Sequence, residues 1–128
     1  RPGATFFLPG TPGVEIHESV RPAPGEPVFQ KNFPNSFRET KLLDHLRGAG
    51  ISRLVIAGMM THMCIDATTR AAADLGFACS LAHDACATRA LSFNGVKVDA
   101  ANVQAAYLAA LNGIYARVLP TEELQKAI

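Results

Sequence analysis

Arg53-Leu-Val-Ile-Ala-Gly-Met-Met-Thr-His-Met-Cys64, with its continuation through Ile65–Gly76, decides how this chain folds. Leu54–Ala57 is a short, branched, apolar run, the pattern of a strand buried in a parallel sheet. Gly58 interrupts it. From Cys64 onward the spacing becomes helical, with Ile65, Thr68 or Thr69, Ala72 and Leu75 on one face. Gly76 stands where a glycine ends a helix. Cys64 is therefore expected at or near the first turn of a helix that follows the C-terminal end of a strand. Free backbone N–H groups and the positive end of the helix dipole lie there. Such places favour thiolates and offer donors to a developing oxyanion.

The flanking sequence repeats this alternation. Upstream, Val28–Gln30 is expected to be a strand, followed directly by Lys31 and Asn32-Phe-Pro-Asn-Ser-Phe37. Thr40–Gly48 is expected to be a helix with Leu42, Leu43 and Leu46 inward. Downstream, Phe77–Ala82 is an apolar strand, with His83-Asp-Ala-Cys-Ala-Thr88 as the loop beyond it. Asp99–Asn112 has a helical face of Val103, Ala106, Tyr107, Ala110 and Leu111, and Gly113 stops it. Tyr115–Leu119 is a strand. Thr121 is an N-cap for a last helix whose first turn holds Glu122 and Glu123. Strands alternating with helices imply an α/β fold, a parallel sheet with helices on both faces. Right-handed crossovers bring the strand C-termini to one edge, so Lys31, Gly58–Cys64 and His83-Asp84 should meet there.

The N-terminal third is different. Residues 1–27 hold most of the prolines and begin with Arg1-Pro-Gly3, a loop composition. Phe6-Phe-Leu-Pro-Gly-Thr-Pro-Gly13 is an irregular apolar loop in which Phe6 and Phe7 are candidate pocket walls. Val14–His17 is one turn or a short strand, and His17 has no partner at metal-ligand spacing.

The chain has 128 residues, 48% of them apolar, which suits a single domain with a real core. Its formal charge is +1 with acids and bases intermixed, so there is no electrostatic footprint for nucleic acid or an anionic membrane. No apolar run approaches the length of a bilayer span. Three cysteines, Cys64, Cys79 and Cys86, are an odd number, which argues against a disulfide scaffold and for a reducing, cytoplasmic setting.

Two chemistries fit the expected edge. In the first, Cys64 is a nucleophile, Lys31 the cation that holds charged intermediates, and the backbone around Met60 and Cys64 the oxyanion hole. By position alone, Asp84, His83 and His62 are candidate bases. In the second, His62, Cys64, His83 and Cys86 would hold a metal, although their spacing matches structural zinc sites only loosely. The plain alternative is that Cys64 is a small buried hydrophobe. Met59, Met60 and Met63 are packing residues or an apolar pocket wall. No phosphate-binding glycine motif is present.

The residues carry a resemblance. Gly58, Thr61 and Cys64 match the G-x-x-T-x-x-C pattern of the isochorismatase-like cysteine hydrolases, a superfamily that includes nicotinamidases and N-carbamoylsarcosine amidases. Lys31 with Ser36 nearby is similar to the family's lysine segment. His83-Asp-Ala-Cys-Ala87 and Leu8-Pro-Gly-Thr-Pro-Gly13 resemble family segments as well.

The resemblance implies a three-layer α/β/α sandwich with a Rossmann-like parallel sheet, and hydrolysis of a small amide, ester-like or vinyl ether substrate. It implies Cys64 as nucleophile, Lys31 as the triad lysine, and an oxyanion hole of the Met60 and Cys64 backbone N–H groups beside a cis Met59–Met60 peptide. Phe7, Phe37 and Met63 become candidates for the substrate pocket, and Arg38 and Arg89 candidates for an anion clamp. It implies a homo-oligomer that needs neither cofactor nor metal. The family's triad aspartate belongs to a first strand upstream of these residues. The sequence is thus expected to be an N-terminally incomplete single domain, with low activity by itself. The alternative is an inactive or truncated member serving as a structural, oligomeric subunit.

Overall fold

The computed structural model describes residue 3 and residues 5–126; Arg1 and Pro2, expected in a loop, lie outside them. The segment Arg53–Gly76 forms the centre. Strand β1 (Arg53–Met59) leads through a wide turn at Thr61–Ile65 into helix α2 (Asp66–Asp74). Gly76 follows with φ +91°, a conformation that glycine takes without a Cβ penalty and that ends the helix. Strand β2 (Ala78–Ala87) then runs parallel to β1, and strand β5 (Arg117–Leu119) runs parallel to β2. Among the described residues the sheet has three strands in the order β1-β2-β5, with β2 in the middle and β1 on one side.

Helices α1 (Leu42–Gly48), α3 (Ala100–Leu111) and α4 (Thr121–Lys126) complete the set that flanks the sheet. The core gathers Leu46 of α1, Ile65 and Ala72 around α2, Phe77 just before β2, Cys79 and Leu81 of β2, Leu111 of α3, and Ala116. Leu81 and Leu111 are completely buried. On α2 the inward residues are Thr69 and Ala72, while Thr68 is only half-buried and faces another partner. Asp99 caps α3, its carboxylate accepting from the Asn102 N–H at 2.8 Å. Among the described residues no helix is long and apolar enough to cross a membrane.

Four sequence expectations need correction. Val28–Gln30 pairs with no strand among the described residues; it is a short segment after Pro27, with Val28 and Gln30 exposed and Phe29 half-buried. The segment Val14–His17 is neither one turn nor a strand; tight turns cover Pro12–Val14 and Glu18–Val20 instead. The segment His83–Ala87 is not a loop beyond the strand. Pairing passes from Ile56↔Leu81 to Gly58↔Cys86, so the strand bulges over its next four residues and then returns to the ladder. Finally, Ala106 and Ala110 of α3 are exposed, and only Val103, Tyr107 and Leu111 of that face turn inward.

One element went unforeseen: an antiparallel hairpin of β3 (Leu91–Phe93) and β4 (Val96–Val98), turned by Asn94-Gly95. Both turn residues have positive φ, +48° and +78°, which asparagine and glycine tolerate best.

Candidate active site

Cys64 sits in the turn that joins β1 to α2. That turn is wider than an α-helical one: the Ile65 N–H donates to the Met60 carbonyl five residues back at 3.3 Å, and the Met63 N–H shares the same oxygen at 3.0 Å. Cys64 thus lies near the first turn of the helix that follows β1, as expected, in a turn of wider pitch, and the α-helix proper starts at Asp66. Thr61 anchors the turn. It is fully buried, and its hydroxyl donates to the Ala87 carbonyl at 3.2 Å, tying the turn to the end of β2. Gly58 precedes the turn with φ +124°, where a side chain is strained even though an added Cβ would only touch Ile65 at 3.7 Å. The Met59–Met60 peptide is cis.

Lys31 reaches this turn from the other side. Its Nζ donates to the Phe33 carbonyl at 2.9 Å and the Pro34 carbonyl at 3.3 Å, and lies 3.3 Å from Cys64 Sγ. The loop that follows folds tightly on itself. The Asn35 side chain accepts from the Phe37 N–H at 2.9 Å, and the Thr40 hydroxyl donates to the Ser36 carbonyl at 2.6 Å. The loop also meets α2 through Thr68. That hydroxyl lies 3.1 Å from the Ser36 N–H, 3.0 Å from the Ser36 hydroxyl and 3.2 Å from the Pro34 carbonyl. Thr68 and Ser36 were not singled out for this role from sequence. The available signal was that Thr68 follows Cys64 by four residues, one turn along the same side.

None of the candidate bases Asp84, His83 and His62 is a hydrogen-bond partner of the sulfur, whose side-chain partner among the described residues is Lys31. Asp84 is exposed, and its carboxylate accepts from both the Thr121 hydroxyl at 2.7 Å and the Thr121 N–H at 2.8 Å. Those two bonds, the hydroxyl first, hold its carboxyl below the usual range. His62 is half-buried, with Nδ1 2.6 Å from the Thr88 hydroxyl and its ring edge-on to Tyr107. Burial, then the charge of Arg89, lowers its pKa, so the imidazole is neutral at pH 7. Burial raises the thiols of Cys79 and Cys86, which stay protonated at neutral pH. All three cysteines are free. Among the described residues no cluster of three His, Cys, Asp or Glu side chains is arranged to hold a metal ion.

A cavity of about 420 Å³ opens beside the cis peptide, walled by Phe6, Phe7, Met59, Met60, Thr88 and Arg89, among others. Of the substrate-pocket candidates Phe7, Phe37 and Met63 only Phe7 lines it, together with Phe6, Met59 and Met60, themselves candidate pocket walls. Phe37 instead stacks on Phe77 at 6.0 Å and borders a separate cleft along β1, and Met63 lines neither space. Of the two candidate clamps, Arg38 lies over the Phe33 ring at 3.7 Å and is 3.7 Å from the Glu39 carboxylate. Arg89 is on the cavity wall.

A parallel sheet that delivers a cysteine on a turn before a helix, with a lysine at its sulfur, defines a class of enzyme-like α/β domains. Residues 1–123 match the Isochorismatase domain, and the chain belongs to that family. An isochorismatase family protein of Bacillus subtilis is 51% identical over 123 residues, covering 96% of this chain and 68% of that protein. The streptothricin hydrolase of Streptomyces noursei is 42% identical over 87 residues, 68% of this chain and 31% of its own. The crystal structure of an isochorismatase hydrolase from Oleispira antarctica superposes with a TM-score of 0.91 at 56% identity, over 95% of this chain and 65% of that one. The chain thus spans about two thirds of the length of the Bacillus and Oleispira proteins.

Proposed function

We propose that this chain carries the nucleophile and cation of a cysteine hydrolase acting on a small amide- or ester-like substrate. The observation that carries this reading is the 3.3 Å approach of Lys31 Nζ to Cys64 Sγ at the turn leading into α2. An ammonium at that distance stabilises a thiolate and the charge that builds as it attacks. The sulfur adds to the substrate carbonyl carbon, and the carbonyl oxygen takes up negative charge. The Met60 and Cys64 backbone N–H groups are the proposed donors to it. Collapse breaks the C–N or C–O bond, and the leaving amine or alcohol departs with a proton. Water then cleaves the thioester, releasing the acid and restoring Cys64.

The thiol proton needs a base. Among the described residues the hydrogen-bond partner of Cys64 is Lys31, and the family resemblance assigns the base to an aspartate upstream of these residues. The cavity beside the cis peptide is the proposed substrate site, its size suiting a small molecule. The resemblance also supports a homo-oligomer.

The test is hydrolysis of a panel of small primary amides and p-nitrophenyl acetate by the full-length protein, with acylation of Cys64 followed by peptide mass spectrometry. Turnover with a transient Cys64 adduct, both lost in Cys64→Ser, is the expected result. Undiminished turnover in Cys64→Ser overturns the reading. So does a protein that neither turns over the panel nor becomes acylated, which would point to a structural subunit.

A further inference from the structure

We propose that Thr68 is the positioning residue that sets the Lys31 ammonium against the Cys64 sulfur, an inference that rests on the reading of Lys31 as the cation serving Cys64. Lys31 Nζ is aimed by two consecutive carbonyls, those of Phe33 and Pro34, in the loop that follows it. The aim is only as good as the placement of that loop relative to Cys64. Among the described residues, the hydrogen bonds that run between the loop and α2 all end on one atom, the Thr68 hydroxyl oxygen.

The capacity of that atom fixes the direction of each bond. A hydroxyl has one proton to give and two lone pairs to receive. The Pro34 carbonyl can only accept, so Thr68 donates to it at 3.2 Å. The Ser36 N–H can only donate, so Thr68 accepts from it at 3.1 Å. The remaining contact, 3.0 Å to the Ser36 hydroxyl, must then be donated by serine. The hydroxyl is saturated, with no bond left to rearrange.

The Pro34 oxygen is the pivot. It accepts from Thr68 and from the Lys31 ammonium at once. Thr68 follows Cys64 by four residues, in the first turn of the helix that continues directly from the wide turn carrying the sulfur. The links close a ring: Cys64 to Thr68 through the end of that turn and the start of α2, Thr68 to Pro34 by one bond, Pro34 to Lys31 by another, and Lys31 back to the sulfur. Opening it at Thr68 frees the lysine loop from the backbone that carries the nucleophile. Core contacts do not replace this link, because Phe37 packs on Phe77 and fixes the far end of the loop. The arrangement also accounts for Ser36 in the lysine segment.

The experiment is the alkylation of Cys64 by iodoacetamide in the full-length protein, followed at that residue by peptide mass spectrometry. The quantity is the rate at pH 7 divided by the rate at pH 9 in the same variant, so that changes in access cancel. Lys31→Met is expected to lower this ratio on the order of 10-fold, the loss of one charge-assisted contact. Thr68→Val is expected to lower it about 3- to 10-fold and Thr68→Ser to return it to within about 2-fold of the parent, as the bonding capacity of a hydroxyl demands. Thr68→Ala serves if the valine variant fails to fold, since the site is half-buried and alanine is the best helix former. If Lys31→Met lowers the ratio and the Thr68 variants do not, the positioning role falls while the Lys31 reading stands. If Thr68→Ser falls as far as Thr68→Val, the hydroxyl is not the cause and the inference fails. If Lys31→Met leaves the ratio unchanged, the cation reading itself fails, and this inference with it.

Discussion

Lys31 and Cys64 are 33 positions apart in the chain and 3.3 Å apart in the fold. Neither is carried by a long regular element. Lys31 follows a segment that pairs with no strand among the described residues, and Cys64 rides a wide turn between β1 and α2. What unites them is hydrogen bonding: two loop carbonyls on the lysine, and a buried threonine under the turn.

That proximity makes the two side chains unequal in consequence. Cys64→Ser should lower kcat/KM of the full-length enzyme by on the order of 10³-fold or more, as removal of a covalent nucleophile does. Lys31→Met should cost about 10- to 100-fold, the worth of one charge-assisted hydrogen bond. Steady-state kinetics on whichever panel substrate is turned over measures both.

Thr61 is completely buried with its hydroxyl on the Ala87 carbonyl. Thr61→Val keeps the shape and leaves that oxygen without this donor, a loss expected to cost about 1–3 kcal/mol. Urea denaturation should show a lower midpoint with an unchanged slope, and Thr61→Ser should recover most of it.

Gly58 holds φ at +124° with room around it. Gly58→Ala should destabilise by more than about 1 kcal/mol because alanine cannot adopt that backbone without strain. The space is adequate, so Gly58→Ser should cost about as much as alanine. A much larger loss for the bigger residue in thermal denaturation would mean that crowding decides instead.

Leu81 has zero exposure in the central strand, with Ile56 opposite it on one side and Val118 on the other. Leu81→Ala should cost about 2–5 kcal/mol, from lost burial and the cavity left behind.

Asp84 gives a pH dependence of known sign. Its folded-state pKa is lowered by the bonds from Thr121, so the stability it adds is present above the ordinary aspartate range and fades as pH falls through the lowered value. Thermal unfolding from pH 6 downward should show a shallower acid limb in Asp84→Asn than in the parent. Parallel curves would count against the Thr121 bonds as the source of that stability.

The central unit was legible because its signals agree: a branched strand, a breaking glycine, a 3.6-residue apolar period and a stop glycine. Lys31 was legible from its motif and Cys64 from its place between strand and helix. The bulge in β2 was not legible, because pairing lost at Leu81 and regained at Cys86 leaves no local mark, and Asp84 within it looks like any loop acid. The hairpin does leave a local mark: Asn94-Gly95 between two alternating triplets, Leu91-Ser-Phe93 and Val96-Lys-Val98, is a two-residue turn signal. Val28–Gln30 misled because β-propensity describes fit to a neighbour, and no strand among the described residues pairs with it. The partners of Thr68 depend on where a distant loop lands, which no local pattern encodes.

The outer position of β1 among the described strands has a consequence for how its backbone meets water. Along a strand, successive N–H groups point to opposite sides. Those directed at β2 are held in the ladder, and among the described residues no strand lies against the other side. In a polypeptide of residues 1–128 alone, amide hydrogen exchange along Arg53–Ile56 should therefore alternate between slow and fast with a period of two, while Ser80 and Leu81 of β2, laddered on both sides, exchange slowly. Slow exchange at every one of those β1 positions in the full-length protein would reveal a further strand paired with β1, so the protection of each amide reports which way it faces and what lies beyond it.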